Sequence, residues 1–206
     1  MKKNIVITGG LGYIGTELCK LYSGVSWNNK ITVIDNRFIS ERVNQVRNWN
    51  MEFVHGDILD KELINKYCKN ADVVHHLAGI TDVPRTKSES TEEKDKKIKL
   101  SAEEGTQNIL DAISDKCKII FPSTHVVYEG IDSVKNNISE SEELKPLLSY
   151  SSSKAINEAQ LKSSGKNYVI LRLGSVYGYS TDTARIDIMP NLFSRIASQN
   201  GTIKLF

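Results

Sequence analysis

Ile5-Val6-Ile7-Thr8-Gly9-Gly10-Leu11-Gly12-Tyr13-Ile14-Gly15 runs from a short apolar stretch, through glycines at every third position, into a helical pattern. Lys3–Thr8 is too short for a helix and reads as a buried strand. Tyr13–Ser23 sets Ile14, Leu18 and Leu21 on one helical face. Between the two, Gly9 permits a tight turn, Gly12 lets the backbone approach a bound group, and Gly15 lets the helix pack closely on the strand. The first helical turn then offers unpaired N–H groups, which suit a pyrophosphate.

Working outward, the β-branched run Ile31–Ile34 ends at Asp35, about 20 residues past Gly15, where a dinucleotide site places the acid that holds the adenosine ribose. Its charge repels a 2′-phosphate and favours NAD over NADP, although Arg37 stands close enough to accommodate one. Met51–His55 alternates and ends at Gly56-Asp57. Asp57 could bond an adenine amine with the Ile58 backbone beside it, and it also suits a helix N-cap. Lys61–Cys68 is a short amphipathic helix and Val73–Leu77 a strand. The polar stretch Arg85–Lys99 leads into Ile109, Leu110 and Ile113 at helical spacing, and its charge run Thr91–Lys99 reads as a solvated face. Lys118–Phe121 is a strand that Pro122 is expected to stop. Ser149–Leu161 reads as a helix, Tyr168–Leu171 as a strand, Ile188–Ile196 as a weaker helix, and Thr202–Phe206 as the start of another strand. Alternating strands and helices imply an α/β fold, a Rossmann-like doubly wound parallel sheet with helices on both faces.

The 206 residues carry 27 Lys+Arg against 25 Asp+Glu, and a net charge of +2 is no nucleic-acid footprint. No apolar run approaches the roughly 20 residues of a membrane span. Met1-Lys2-Lys3 has the basic start of a secretion signal, but the apolar stretch behind it is too short for one. Cys19, Cys68 and Cys117 are odd in number and far apart, so they read as core fillers in a reducing, cytoplasmic compartment. No Cys/His spacing suggests a metal, and His55 and His125 have no ligand spacing with the other histidines.

Tyr150-Ser151-Ser152-Ser153-Lys154 sets a phenol and an ammonium one helical turn apart on one face. A free tyrosine titrates near pH 10. An adjacent lysine and a nicotinamide cation favour the phenolate, which can take a proton from a sugar hydroxyl. Lys154 could also bond the nicotinamide ribose. Upstream, Ser123 and Thr124 compete as the hydroxyl at the carboxyl edge of the sheet that would bond a substrate oxygen. Arg172 inside a strand suggests a salt bridge, Tyr128 and Tyr177 suggest packing, and His76 a packed or hydrogen-bonded ring. Arg85 is a candidate contact for a substrate phosphate.

Taken together, these residues resemble the extended short-chain dehydrogenase/reductases, in particular the NAD-dependent epimerase/dehydratase family acting on nucleotide sugars. The resemblance is carried in order by Thr8–Gly15, Asp35-Asn36, His76-Leu77-Ala78-Gly79, Ser123–Tyr128, Tyr150–Lys154 with Glu158, and Arg172–Gly178. It implies that the backbones of Tyr13 and Ile14 donate to the pyrophosphate. It implies that Leu77, Ala78 and Gly79 wall the cofactor, with Asp35 and Asn36 at the ribose. Thr124, four residues before Tyr128, matches the family's catalytic Ser/Thr. Members are often homodimers through a four-helix bundle, here the helices around Ser101–Ile113 and Tyr150–Leu161.

Several positions depart from the pattern. Ala102 replaces an asparagine of the cofactor loop, and Ser175 replaces one near the substrate phosphates. His125-Val126 stands where dehydratases carry Asp-Glu, which argues against 4,6-dehydration. The family continues for about one hundred residues further, so the chain is expected to be part of a longer protein. Residues 1–178 would form the cofactor domain and 179–206 the start of a substrate region. The expectation is therefore an NAD-dependent nucleotide-sugar epimerase, acting at C4 through a transient keto sugar. The alternatives are an NAD(P)-linked reductase of a similar carbonyl and a non-catalytic dinucleotide-binding protein.

Overall fold

A computed structural model describes residues 2–25, 28–80, 91–180 and 188–204 of the chain. Among these, strands β1 (Asn4–Thr8), β2 (Lys30–Asp35), β3 (Glu52–His55), β4 (Val73–His76), β5 (Lys118–Thr124) and β6 (Asn167–Leu173) form one sheet in the order β3-β2-β1-β4-β5-β6. Every pairing is parallel. Helices α1 (Tyr13–Ser23), α2 (Ser40–Asn48), α3 (Lys61–Cys68), α4 (Glu92–Ala112), α5 (Ser149–Ser163) and α6 (Met189–Ser198) connect or follow the strands.

The period-two alternation of the strands sorts the core into two layers. Ile5, Ile7, Ile31 and Val33 pack with Leu11, Cys19, Val43 and Val46, so this face is covered by α1 and α2. Val6, Ile34, Val74 and Ile119 pack with Ile64, Ile109, Leu110 and Leu161, so the other is covered by α3, α4 and α5. Each fully buried Ile or Leu side chain stabilises the fold by about 1.5–3 kcal/mol in transfer terms. The three cysteines are free and buried, as their spacing implied. Burial pushes the Cys19 and Cys68 thiols up to about 12, so neither is a nucleophile.

Three local expectations are corrected, and one helix, α2, lies where the sequence predicts none. Pro122 does not stop β5, which continues to Thr124 against β6. The recorded pairing of β5 with β4 ends at His75 and Ile120, so Pro122 lies beyond it, and its carbonyl accepts from Lys154 Nζ at 2.8 Å. The missing N–H therefore costs no ladder bond. α2 gave no clear periodicity, because only Val43 and Val46 of its nine residues are buried. α5 and β6 run two residues further than the apolar pattern indicates. Residues 202–204 form no strand, and 205–206 lie outside the described residues.

α4 begins at Thr91, whose side chain accepts from the Lys94 N–H, with Glu92, Glu93 and Asp95 in the first turn. Glu92–Lys96, Glu93–Lys97 and Lys99–Glu103 pair one turn apart, which accounts for the charge run as a solvated face. No helix among the described residues is long and apolar enough to cross a membrane.

Two adjacent histidines lock the sheet centre to its helices. Tyr22 Oη lies 2.7 Å from His75 Nε2. His76 bridges Thr8 Oγ1 and Thr106 Oγ1, each at 3.0 Å. Burial pushes His75 down to about 4; burial, and then the Lys154 charge, push His76 down to about 3. An unfolded chain protonates both near pH 6.5 while the folded chain does not, so stability falls as pH drops below that value. The unfolding free energy, measured in urea between about pH 6 and pH 4.5, is expected to depend on pH less steeply in His75→Gln, by close to one proton.

Candidate active site

β1 reaches the glycine turn between its two neighbours, β2 and β4, where successive connections leave in opposite directions. In open α/β sheets this switch point opens a crevice at the carboxyl ends of the strands. Gly9 has φ +70°, and a Cβ there would sit 2.6 Å from the Ala78 backbone nitrogen. A Cβ on Gly15 would stand 2.4 Å from the Gly9 carbonyl. The turn is thus closed on the β4 side and against α1. A Cβ on Gly12 would sit 3.1 Å from the Gly9 carbonyl and 3.6 Å from Arg37 Nη2. Gly12 is the N-cap of α1 with no capping side chain, and the first turn carries no acid. The N–H groups of Tyr13, Ile14 and Gly15 precede the first intrahelical bond, from Thr16 to Gly12. An uncapped, positive helix start beside side-chain-free backbone fits a pyrophosphate.

Asp35 is nearly buried at the end of β2. Its Oδ2 accepts from the Leu11 N–H at 2.9 Å, which holds the turn in place. Its Oδ1 accepts from Arg37 N and Nε, at 3.0 and 3.2 Å. Three of roughly four acceptor positions are used, leaving one for a ribose hydroxyl. Asn36 Nδ2 donates to Asp57 Oδ2 at 2.8 Å, joining the ends of β2 and β3. Asp57 does not cap α3. It accepts from Leu59 N–H at 2.9 Å, while Asp60 is the N-cap and accepts from Leu63 N–H. Ile58 buries its side chain against Gly105 of α4.

Past β4, Leu77 N–H donates to the Thr8 carbonyl and Ala78 N–H to Thr8 Oγ1. Gly79 is exposed with open space where a Cβ would be. These residues line the β4 side of the crevice. Arg85 lies outside the described residues.

The other half of the site is built by β5 and α5. The N-cap residue of α5, Leu148, has no capping side chain, and Ser151 Oγ reaches back to accept from its N–H at 3.2 Å. The Glu129 carboxylate accepts from the N–H groups of Leu147 and Leu148 and from Ser151 Oγ, and so secures the turn that carries Tyr150. One turn on, Lys154 Nζ sits 2.8 Å from the Pro122 carbonyl, 4.4 Å from the Phe121 ring centre and 5.9 Å from that of Tyr150. Burial pushes its ammonium down to about 8.

The geometry also separates the two competing hydroxyls. Ser123 Oγ donates to Glu158 Oε1 at 2.6 Å, facing into the core. Thr124 Oγ1 accepts from Val126 N–H at 3.3 Å, a bond that leaves its own O–H to donate elsewhere. Glu158, two turns beyond Tyr150, also accepts from Arg172 Nε at 2.9 Å and Nη2 at 2.7 Å. Arg172 in turn reaches Tyr128 Oη and the Glu140 carbonyl. Glu158 was legible only as part of a motif. The signal for its role was its place one turn after Lys154, on the same face.

Fold and crevice together define a dinucleotide-binding α/β scaffold. The profile of the NAD dependent epimerase/dehydratase family matches residues 5–206, and the chain belongs to that family. It is 30% identical over 197 residues to dTDP-D-glucose 4,6-dehydratase of Dictyostelium discoideum, covering 85% of this chain and 44% of that one. Its fold is similar to that of UDP-N-acetylglucosamine 4-epimerase from Methanobrevibacter ruminantium M1, with TM-score 0.77 and 29% identity, covering 97% of this chain and 64% of that one. UDP-glucose 4-epimerase from Brucella ovis, crystallised with NAD, aligns with TM-score 0.69 and 30% identity over 88% of this chain and 55% of that one. The chain spans about half the length of the curated relatives it matches.

Proposed function

We propose that the protein is an NAD-dependent nucleotide-sugar epimerase acting at C4. The observation that carries this reading is the docking of Lys154 on the end of β5, which joins the Tyr150–Lys154 helix to Thr124. NAD, when bound, would supply a reversible hydride acceptor beside the sugar carbon. The backbones of Tyr13 and Ile14, beside Gly12, would hold its pyrophosphate, Asp35 and Asn36 the adenosine ribose, and Asp57 with Ile58 the adenine. Leu77, Ala78 and Gly79 line its other side. Tyr150 takes the hydroxyl proton and later gives it back. The Lys154 charge favours the phenolate, and Thr124 donates a hydrogen bond to the substrate oxygen.

His125 and Val126 follow Thr124 in a 3-10 turn, and the His125 ring bonds the Leu173 carbonyl at 3.2 Å. With no carboxyl group at these two positions, the site has no acid there to expel a C6 hydroxyl, which favours epimerisation over dehydration. Residues 179–206 would begin the substrate region, and α4 with α5, cross-linked by Asn157 to Ala102 O and Gln160 to Glu103 O, would form the face of a homodimer.

Incubation of the purified protein with UDP-glucose or UDP-N-acetylglucosamine and substoichiometric NAD, followed by NMR, tests the reaction. A C4 epimer with no net reduced cofactor is expected. A 4-keto-6-deoxy product, or NAD reduced to NADH in step with the sugar oxidised, overturns it.

A further inference from the structure

The segment after β6 does not stay at its own edge of the sheet. β6 stands three positions from β1 in the strand order, about 14 Å at the usual strand spacing. Yet Gly178, shortly after the end of β6 at Leu173, accepts a hydrogen bond from the Tyr13 hydroxyl. Five residues span at most about 17 Å. The chain from Gly174 to Gly178 therefore heads across the carboxyl ends of β5 and β4, over the crevice, with the Tyr13 ring reaching out to meet it.

The contact is closed into a ring. Tyr13 Oη donates to the Gly178 carbonyl. Gly178 N–H donates to Asn191 Oδ1 at 3.0 Å. Asn191 Nδ2 donates back to Tyr13 Oη at 3.2 Å. Gly178 has φ +131°, a conformation open to glycine, and this orients its peptide groups for both partners. Ser180, itself buried, adds a bond from its Oγ to the Tyr13 carbonyl at 3.3 Å. Three hydrogen bonds thus reach Tyr13 from the far end of the chain, and a fourth, between Gly178 and Asn191, closes the ring.

We propose that the Tyr13–Gly178–Asn191 ring is a clasp that fastens residues 174–180 across the dinucleotide crevice and gates passage of NAD into and out of it. This rests on the pyrophosphate lying at Gly12–Ile14. A side chain whose backbone touches the phosphates then holds the strap that covers them. Opening the ring exposes the crevice in both directions, so the clasp governs the rates of entry and exit more than the affinity.

The test uses the 206-residue chain and NADH, whose nicotinamide fluorescence reports occupancy in stopped flow. Capture is read by mixing with cofactor-free protein, and release by displacement with excess NAD. Tyr13→Phe and Asn191→Ala are each expected to speed both capture and release by about fivefold to tenfold, the size of one or two lost hydrogen bonds. The dissociation constant should move less than either rate, and the double variant should match the faster single one. Unchanged rates overturn the clasp, and so does faster release with unchanged capture, which marks a mere contact. Gly12→Val separates the underlying reading. If it abolishes NADH binding while Tyr13→Phe leaves both rates unchanged, the pyrophosphate site stands and the clasp falls. If Gly12→Val binds NADH like the parent, or the parent binds none, both fall.

Discussion

Tyr150→Phe is expected to lower kcat for nucleotide-sugar turnover by about 10²- to 10⁴-fold, the range a positioned general acid–base contributes. The substitution removes one oxygen. The helix that carries it keeps its anchors, because Glu129 bonds backbone N–H groups of Leu147 and Leu148 and the Ser151 hydroxyl, not the phenol. Lys154 stays docked on the Pro122 carbonyl. The loss should therefore appear in kcat, with KM for the sugar and the binding of NAD changed by no more than about threefold. Steady-state kinetics with an NADH-binding control make the distinction. Turnover within about threefold of the parent would remove Tyr150 from the proton transfer.

Glu158→Ala is expected to cost about 3–5 kcal/mol of folding stability, because it strands a guanidinium whose partner is gone. The Glu158 side chain is 0% exposed and that of Arg172 12%. Burial alone would raise the Glu158 carboxyl, but hydrogen bonds from Arg172 and Ser123, with the Arg172 charge, outweigh it and hold the group below the usual carboxylate range. This part of the stability is present above the ordinary carboxylate pKa and is lost as pH falls through the lower folded value. Urea unfolding at neutral pH gives the number. The double variant Glu158→Ala with Arg172→Ala should lose clearly less than the sum of the two single losses, since it leaves no buried charge unpaired. A single-variant loss under about 1 kcal/mol would mean that water already reaches the pair.

The sequence was most informative where local rules dominate. α1 and α3 begin and end where the spacing of Ile14 and Leu18, and of Ile64 and Cys68, indicates. The glycine turn was legible because each glycine answers a separate steric demand: a positive φ at Gly9, a tight fit against the Gly9 carbonyl at Gly12 and a closer approach still at Gly15. α2 was not legible, because a helix lying on the sheet rim with two buried valines leaves almost no apolar stripe. Pro122 misled because its place beyond the β4 pairing is a property of the neighbouring strand. The residues alone left Ser123 and Thr124 competing, and the family resemblance favoured Thr124; the physical reason that Ser123 turns away, its bond to Glu158, comes from a partner 35 positions on. The clasp at Tyr13 was out of reach, since its partners lie 165 and 178 positions along the chain.

The most direct measurement repeats the incubation with a UDP-sugar deuterated at C4, in ordinary water, and reads the label in the product. Removal of the hydride to a bound nicotinamide and its return predict a C4 epimer that keeps its deuterium, with no reduced cofactor released. Loss of the deuterium to solvent, or a product unchanged at C4, would contradict the account.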